Sequence, residues 1–300
     1  MIKVNTQHEI VEKSITYDLS NQTIIITGAT TGLGKHTAKK FIDYGANVCI
    51  FARQVIDLEQ TVEEFSLSQE QKNKIFTFAG NAACESDFVW CIESTIKHFG
   101  KVTGLINNAA IHGPIGSSES VSSEEWFNAI QNNLMSTFYG CQHILPYMQK
   151  NNYGKIINLS GSGEKPLPRF SAYSTSKAAV VKLTEVLAEE NKNQKIFINS
   201  IAPGPMNTFF LDDVLNRDPE TVGKEIYKKR MEQKESGGVD LNIPSELCAF
   251  LMSDKSEFFT GKLISAVWDD WQNFTPELAN TLNNSEIYTM RRQIDSKERF

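Results

Sequence analysis

The sequence predicts an α/β protein, a doubly wound parallel sheet flanked by helices in a single domain. Short β-branched runs alternate with helix-like segments along most of the 300 residues. A glycine-bearing turn, Thr27-Gly28-Ala29-Thr30-Thr31-Gly32-Leu33-Gly34, follows the first such run. No low-complexity linker and no internal repeat beyond the alternation divides the chain.

Residues 23–27 (Thr-Ile-Ile-Ile-Thr) read as a buried parallel strand. Residues 35–44 suit a helix, with Gly45 as its stop. A second strand follows at 47–52, a helix at 58–65 and a third strand at 74–79. This β-α-β-α-β order is the first half of a Rossmann-type sheet. Residues 88–99 are helical and 104–107 form a fourth strand. Ser123 is a candidate N-cap for a helix from Glu124 onward. A fifth strand at 155–159, a long helix at 173–190, a sixth strand at 196–201, a helix at 246–252 and a last strand at 263–267 complete the alternation. The domain therefore runs from about residue 20 to 271, between an N-terminal extension (1–19) and a C-terminal one (272–300). Residues 207–244 lack strand character, contain Gly237-Gly238 and are rich in charge. Insertions after strand ends build the ligand crevice of open α/β sheets, so a substrate lid of short helices is expected there, against an inert surface loop.

Thirty basic residues against 36 acidic ones give a formal charge of −6, which argues against a general nucleic-acid binder. The five cysteines, at 49, 84, 91, 141 and 248, form no Cys-x-x-Cys pair and read as reduced thiols. The first twenty residues carry Lys3, Glu9, Glu12, Lys13 and Asp18 without an apolar run, unlike a signal peptide. No stretch approaches the roughly 20 apolar residues that span a bilayer. A cytoplasmic protein without membrane or nucleic-acid partners is expected.

The glycine turn has the makings of a phosphate cradle. Gly28 permits the tight turn, Gly32 a close backbone approach and Gly34 close packing of helix on strand. With Thr30, Thr31 and Leu33 it presents free N–H groups at a helix N-terminus to a diphosphate. An acid at the end of the second strand would favour NAD(H); here Ile50-Phe51-Ala52 leads to Arg53. A guanidinium suits a 2′-phosphate, so NADP(H) is favoured and NAD(H) is the alternative, with Arg53 then a solvated loop charge.

Tyr173 and Lys177, four residues apart, share one helix face. A phenol titrates near pH 10, too high for a base at neutrality, and a neighbouring ammonium lowers that value. Tyr173 can then take a proton from an alcohol or give one to a carbonyl as hydride arrives. Lys177 can also hydrogen-bond the nicotinamide ribose.

In these features the chain resembles a short-chain dehydrogenase/reductase of the non-extended branch, over residues 20 to about 271. The resemblance rests on the glycine turn, Asn107-Asn108-Ala109-Ala110, Asn132-Asn133-Leu134 and Asn158-Leu159-Ser160. It rests also on Tyr173 with Lys177, Asn199-Ser200-Ile201-Ala202-Pro203-Gly204 and Thr260-Gly261. It implies that Tyr173 is the general acid/base, Lys177 its activator and ribose ligand, and Asn133 the holder of a water relaying protons from Lys177. Asn108 would sit near the cofactor ribose, Pro203, Gly204 and Thr208 at the nicotinamide end, and Asn81 and Ala82 beside the adenine. Relatives are often homodimers or homotetramers. The chain departs from the family with Asn at 81, where Asp is usual, and Ala at 110, where Gly is usual. Counting back thirteen residues from Tyr173 selects Ser160 as the serine that stabilises charge on the substrate oxygen, and Ser162 remains open.

The leading reading is an NAD(P)-dependent oxidoreductase acting on a carbonyl or secondary alcohol of a small molecule. A catalytically inactive nucleotide sensor or scaffold, and an epimerase or dehydratase, are the alternatives. In the C-terminal extension, Tyr288, Met290, Arg291 and Arg292 suggest docking over the crevice or against a second subunit, with the arginines meeting carboxylates or an anionic substrate group.

Overall fold

The computed structural model describes residues 17–161 and 166–291. Seven parallel strands form one sheet in the order β3-β2-β1-β4-β5-β6-β7. They are β1 Thr23–Thr27, β2 Asn47–Ala52, β3 Ile75–Ala79, β4 Gly104–Asn107, β5 Gly154–Leu159, β6 Ile196–Ala202 and β7 Leu263–Ser265. The chain enters at the centre, winds out to β3, returns beside β1 as β4 and winds out the other way. The order reverses between β1 and β4, where such sheets open a crevice at the strand carboxyl ends.

Helices cover both faces. They are α1 Gly32–Asp43, α2 Val55–Glu64, α3 Gln69–Lys72, α4 Glu85–Phe99, α5 Ser123–Ile130, α6 Ser136–Asn151 and α7 Ser171–Glu190. Then follow α8 Phe209–Leu215, α9 Pro219–Val222, α10 Lys224–Ser236, α11 Asn242–Met252 and α12 Pro276–Asn283. The strand period of two divides the core. Ile24, Ile26, Val48 and Ile50 face the core under α1 and α11, with Phe41 and Leu247. Ile25, Cys49 and Phe51 face the opposite core, with Phe88 of α4 and Ile144 of α6.

Local chemistry moved several boundaries from their expected places. Helix α1 begins at Gly32, so the last two turn glycines lie inside its first turn. The cap of α5 is Ser122, whose Oγ accepts from Glu125 N at 3.4 Å; Ser123 is already helical. Strand β7 stops at Ser265 because Asp269 Oδ2 accepts its N–H at 2.6 Å and its Oγ accepts from Trp268 N at 3.1 Å, which turns the chain. Helix α11 starts at Asn242 and tolerates Pro244 in its first turn, where no intrahelical donor is lost.

Residues 207–241 hold α8, α9 and α10, against an isolated bridge between Met206 and Gly238, and 242–244 already belong to α11. The core also takes in described residues of both extensions. Tyr17 and Leu19 are buried, as are Ala279 and Leu282 of α12. Beyond α12, Tyr288 O accepts from Leu263 N at 2.8 Å, and Lys262 Nζ donates to Ser285 O at 2.9 Å. Arg291 pairs with Glu185 of α7 at 2.8 Å. The described extension thus docks on its own body, away from the crevice; Arg292 lies outside the described residues.

Candidate active site

Gly28 and Gly32, at φ 63° and 51°, sit in the left-handed backbone region that favours glycine. A Cβ on Gly34 would stand 2.4 Å from Asn108 Nδ2 and 2.6 Å from Gly28 O, too close for any side chain. Thr31 enters α1 in extended conformation and gives no side-chain cap, so the first N–H groups of the helix await an acceptor. Thr30, Thr31, Gly32 and Leu33 line a cavity of ≈ 730 Å³ at this point. Asn108 is the brace of the turn: its Nδ2 donates to Thr27 O (2.9 Å) and Gly28 O (3.1 Å). Thr27 Oγ1 in return accepts from the N–H groups of Asn108 and Ala109, each at 3.0 Å. Unpartnered helix N–H groups, glycines that no Cβ could replace and the volume of the cavity together fit a dinucleotide.

At the far side of the turn, Arg53 is exposed on the cavity wall and makes no hydrogen bond or ion pair with the described residues. Asn81 and Ala82 line the same wall. Asp87 of α4, which does not line the cavity, accepts the Asn81 N–H through Oδ2 at 2.8 Å. Asn81 Oδ1 accepts from Ala83 N at 3.0 Å.

At the other end stand Tyr173, Lys177 and Ser160, all lining the cavity. Lys177 Nζ donates to Leu159 O at 2.7 Å and lies 5.9 Å from the Tyr173 ring centroid. Ser160 is buried, and its Oγ donates to Lys177 O at 3.4 Å. Gly161, at φ 138°, passes so close to the phenol that a Cβ there would lie 3.1 Å from Tyr173 Oη. Ser162 lies outside the described residues. The electrostatics reverse one expectation. Burial pushes the Tyr173 phenol up to about 12, and the cation that opposes this shift is Arg230. Burial pushes Lys177 down to about 8. Desolvation outweighs the mutual help of phenol and ammonium, whose nitrogen is turned to the Leu159 carbonyl.

Asn133 sits in a π-turn, Gln131–Met135, between α5 and α6. Its Oδ1 accepts from Ile111 N (2.8 Å), and its Nδ2 donates to Ile111 O (2.9 Å) and Ser176 Oγ (3.0 Å). The amide clamps the chain after β4 to α7 at Ser176, whose Oγ donates to Tyr173 O at 2.7 Å, and does not line the cavity. Gly34 likewise supports the site from behind, whereas Pro203, Gly204 and Thr208 line it. Gly204, at φ 93°, packs against Val267 and Val239.

Sequence reasoning missed three residues that the fold brings to Tyr173. His112 has its ring 5.3 Å from that of Tyr173 and 4.4 Å from that of Phe210. Its Nδ1 meets Asp213 Oδ2 at 2.8 Å. Burial pushes the His112 imidazole down against the pull of Asp213, and the His112 hydrogen bond holds the Asp213 carboxyl low. A carboxylate only accepts, so the proton of a neutral His112 lies on Nδ1 and leaves Nε2 as an acceptor. Arg230 comes from α10 and also lines the cavity. A polar residue just past a strand end, as His112 is past β4, was the available sequence signal; Arg230 and Phe210 had none.

A phosphate-ready turn joined by one cavity to a Tyr–Lys pair defines a nicotinamide-dependent oxidoreductase, and the comparisons give the family. A family model described as short chain dehydrogenase matches residues 22–218. The (2S)-[(R)-hydroxy(phenyl)methyl]succinyl-CoA dehydrogenase subunit BbsD of Thauera aromatica is 31% identical over 252 residues, covering 82% of this chain and 95% of that protein. Glucose 1-dehydrogenase 2 of Bacillus subtilis is 28% identical over 249 residues, covering 81% and 92%. Levodione reductase shares the fold with a TM-score of 0.74 at 24% identity, over 87% of this chain and 98% of that one. The chain belongs to the short-chain dehydrogenase/reductase family. It is an NAD(P)-dependent oxidoreductase acting on CH–OH groups. Among the described residues no helix is long and apolar enough to cross a membrane.

Proposed function

We propose that the protein reduces a carbonyl of a small molecule with NADP(H). The observation that carries the reading is geometric: Tyr173 and Lys177, one turn apart on α7, line the same cavity as the glycine turn, and the buried phenol is neutral at working pH. A neutral phenol is the proton donor that a carbonyl needs as hydride arrives. When bound, the nicotinamide cofactor supplies the hydride. Ser160, on the same cavity wall, turns its hydroxyl from Lys177 O to the carbonyl oxygen and stabilises the charge that grows there. Lys177 is fixed by Leu159 O and keeps two further donors for the ribose and the proton path. Asn133 is a positioning residue: by joining Ile111 to Ser176 it holds α7, and with it Tyr173, against the end of β4.

On the cofactor side, the N–H groups at the start of α1 hold the diphosphate, Asn81 and Ala82 flank the adenine, and Pro203, Gly204 and Thr208 meet the nicotinamide end. Arg53, which forms no ion pair with a described residue, meets the 2′-phosphate that distinguishes NADP(H). Residues 207–244 act as the substrate lid. The relatives named for alcohol substrates, a hydroxy(phenyl)methyl-succinyl-CoA in one and glucose in the other, support a small-molecule alcohol or carbonyl without choosing one. A cytoplasmic homodimer or homotetramer is the setting this reading takes from the family resemblance.

Tyr173→Phe keeps the ring and removes the proton. It should bind NADPH as the native protein does and lose turnover on a carbonyl panel by about 10²–10⁴-fold. NADPH binding with no turnover by the native protein on any carbonyl or alcohol would point to a sensor or scaffold instead.

A further inference from the structure

Resting on that reading, we propose that the substrate carries a carboxylate, and that Arg230 is the residue that binds it. Arg230 projects from α10 into the cavity that holds Tyr173. It is half-buried, and burial works against its charge. Even so, it makes no ion pair with any described residue. Its one hydrogen bond runs from Nη1 to Gln233 Oε1 at 2.7 Å. Nε and Nη2 have no acceptor among the described residues, and they form the fork that fits a carboxylate bidentately.

The fork is held in place. Gln233 lies one turn on from Arg230 in α10, and its Nε2 donates to Met206 O at 3.1 Å and to Asn207 Oδ1 at 3.3 Å. The brace ties the guanidinium to the segment that follows β6. A solvated surface arginine has no need of such a support, whereas a ligand-binding one does.

The charge balance of the cavity agrees. Its only acid among the described lining residues is Asp57, which lies in α2 beside Arg53, three strands away from β5 and Tyr173. Asp213 is nearby, but its two oxygens are engaged by His112 and Arg217. The reacting end thus presents Lys177 and Arg230 with no described carboxylate facing them. Phe170, Phe210 and Val214 supply apolar wall between these polar groups. The pocket therefore selects an apolar, ring-sized ketone or secondary alcohol with an acid group at one end.

The probes are two aryl keto acids, benzoylformate and benzoylpropionate, each set against its methyl ester. NADPH oxidation is followed for the native protein and for Arg230→Gln and Arg230→Lys. The native protein should prefer at least one acid to its ester. Arg230→Gln should lower the acid-to-ester ratio of kcat/KM by about 10–100-fold, the range for a hydrogen bond to a charged group, and Arg230→Lys should recover part of it. An ester preferred by the native protein in both pairs, or an unchanged ratio in Arg230→Gln, would overturn the proposal. NADPH titration of each variant reports whether it has folded. If no ketone is turned over at all, carbonyl reduction fails as a reading and the anion site is judged by binding. Benzoate, and not benzamide, should then bind the NADPH-loaded native protein and lose affinity in Arg230→Gln. Equal benzoate affinity in the two proteins would overturn the assignment of Arg230.

Discussion

The cofactor side of the crevice is built from backbone, and the substrate side from side chains. At the glycine turn, φ angles of 63° and 51° and the bare Cα of Gly34 create the site, with helix N–H groups as the binding atoms. Around Tyr173 the decisive atoms are an imidazole, a guanidinium and aromatic rings, brought from the end of β4, from α8 and from α10. A backbone site needs a fixed sequence spacing, because each glycine answers a steric demand at one position. A side-chain site needs only that the fold deliver the right groups, from wherever they lie in the chain. The first kind is shared across a family, and the second is where members of one family can differ in substrate.

The largest expected effect that tests this division is on pH. Lys177 has been pushed down from the ordinary lysine range to about 8, so it is charged below that pH and neutral above it. Tyr173, pushed up to about 12, stays protonated throughout the working range. If turnover needs the Lys177 ammonium, kcat/KM for carbonyl reduction should be flat below pH 8 and then fall about tenfold for each unit of pH. Lys155 provides the control. Burial pushes it to about 8 as well, and its Nζ donates to Ser253 O at 2.6 Å. It also donates to Ser256 Oγ at 3.3 Å, and it does not line the cavity. Lys155→Met should leave the break in the profile where it was, at some cost in stability. A break that moved with Lys155 would remove Lys177 from the proton path.

These two lysines also show what the sequence could and could not disclose. Both follow from strands or helices that the hydrophobic pattern located, yet only Lys177 carried a signal of function, because Tyr173 precedes it by one helical turn. The strands were legible since each is a short, largely apolar run between helix-like segments; β1, β2 and β4 span the expected residues. Strand and helix ends were less so. The early end of β7 depends on Asp269, and the cap of α5 on the extended backbone of Ser122, neither of which alters the apolar pattern. The π-turn at Asn133 was invisible for the same reason. Of the site, the glycine turn and the Tyr–Lys pair could be read locally. The direction of the Tyr173 shift could not, because desolvation depends on neighbours such as Phe210 and His112 that only folding supplies. Arg230 was one basic residue within a charged helix, Lys-Lys-Arg in sequence, and nothing but tertiary structure separates it from Lys228 and Lys229.

A smaller effect is expected on the backbone-built side, where Arg53 is the one side chain given a role in specificity. Arg53→Ala should weaken NADPH about tenfold relative to NADH, a modest value because the arginine is exposed and screened. Fluorescence titration with both cofactors at low and high salt reads this directly. The NADPH preference of the native protein should shrink as salt rises, and that of the variant should not. Equal losses for the two cofactors would show that Arg53 does not read the 2′-phosphate and would put NAD(H) ahead of NADP(H).

The smallest effect on the site should come from the C-terminal extension, which belongs to neither side of the crevice. Its described residues satisfy the body instead. Ser285 O and Ile287 O accept from Lys262 Nζ at 2.9 and 3.2 Å, and Lys262 is otherwise buried at the start of β7. Glu185, also buried in part, accepts from Met290 N at 2.6 Å and pairs with Arg291 and Lys182. Burial opposes the charge of Glu185, but these partners hold its pKa below the ordinary carboxylate value. Its stabilising contribution is therefore present at neutral pH and is lost as acid protonates it. Deleting residues 284–300 removes the Lys262 acceptors Ser285 and Ile287 and leaves Glu185 with Lys182 alone of these partners. Each lost hydrogen bond to a charged group contributes about 1.5–3 kcal/mol, so the melting temperature should drop by several degrees. Cofactor affinity should stay within about a factor of two, because distant sites with no shared partners act independently and no described residue of the extension lines the cavity. Thermal melts of the deletion and of the full chain, with and without NADPH, separate the two outcomes. A deletion that bound NADPH many times more weakly would mean that the extension shapes the crevice through β7, and that the site is less self-contained than its lining residues indicate.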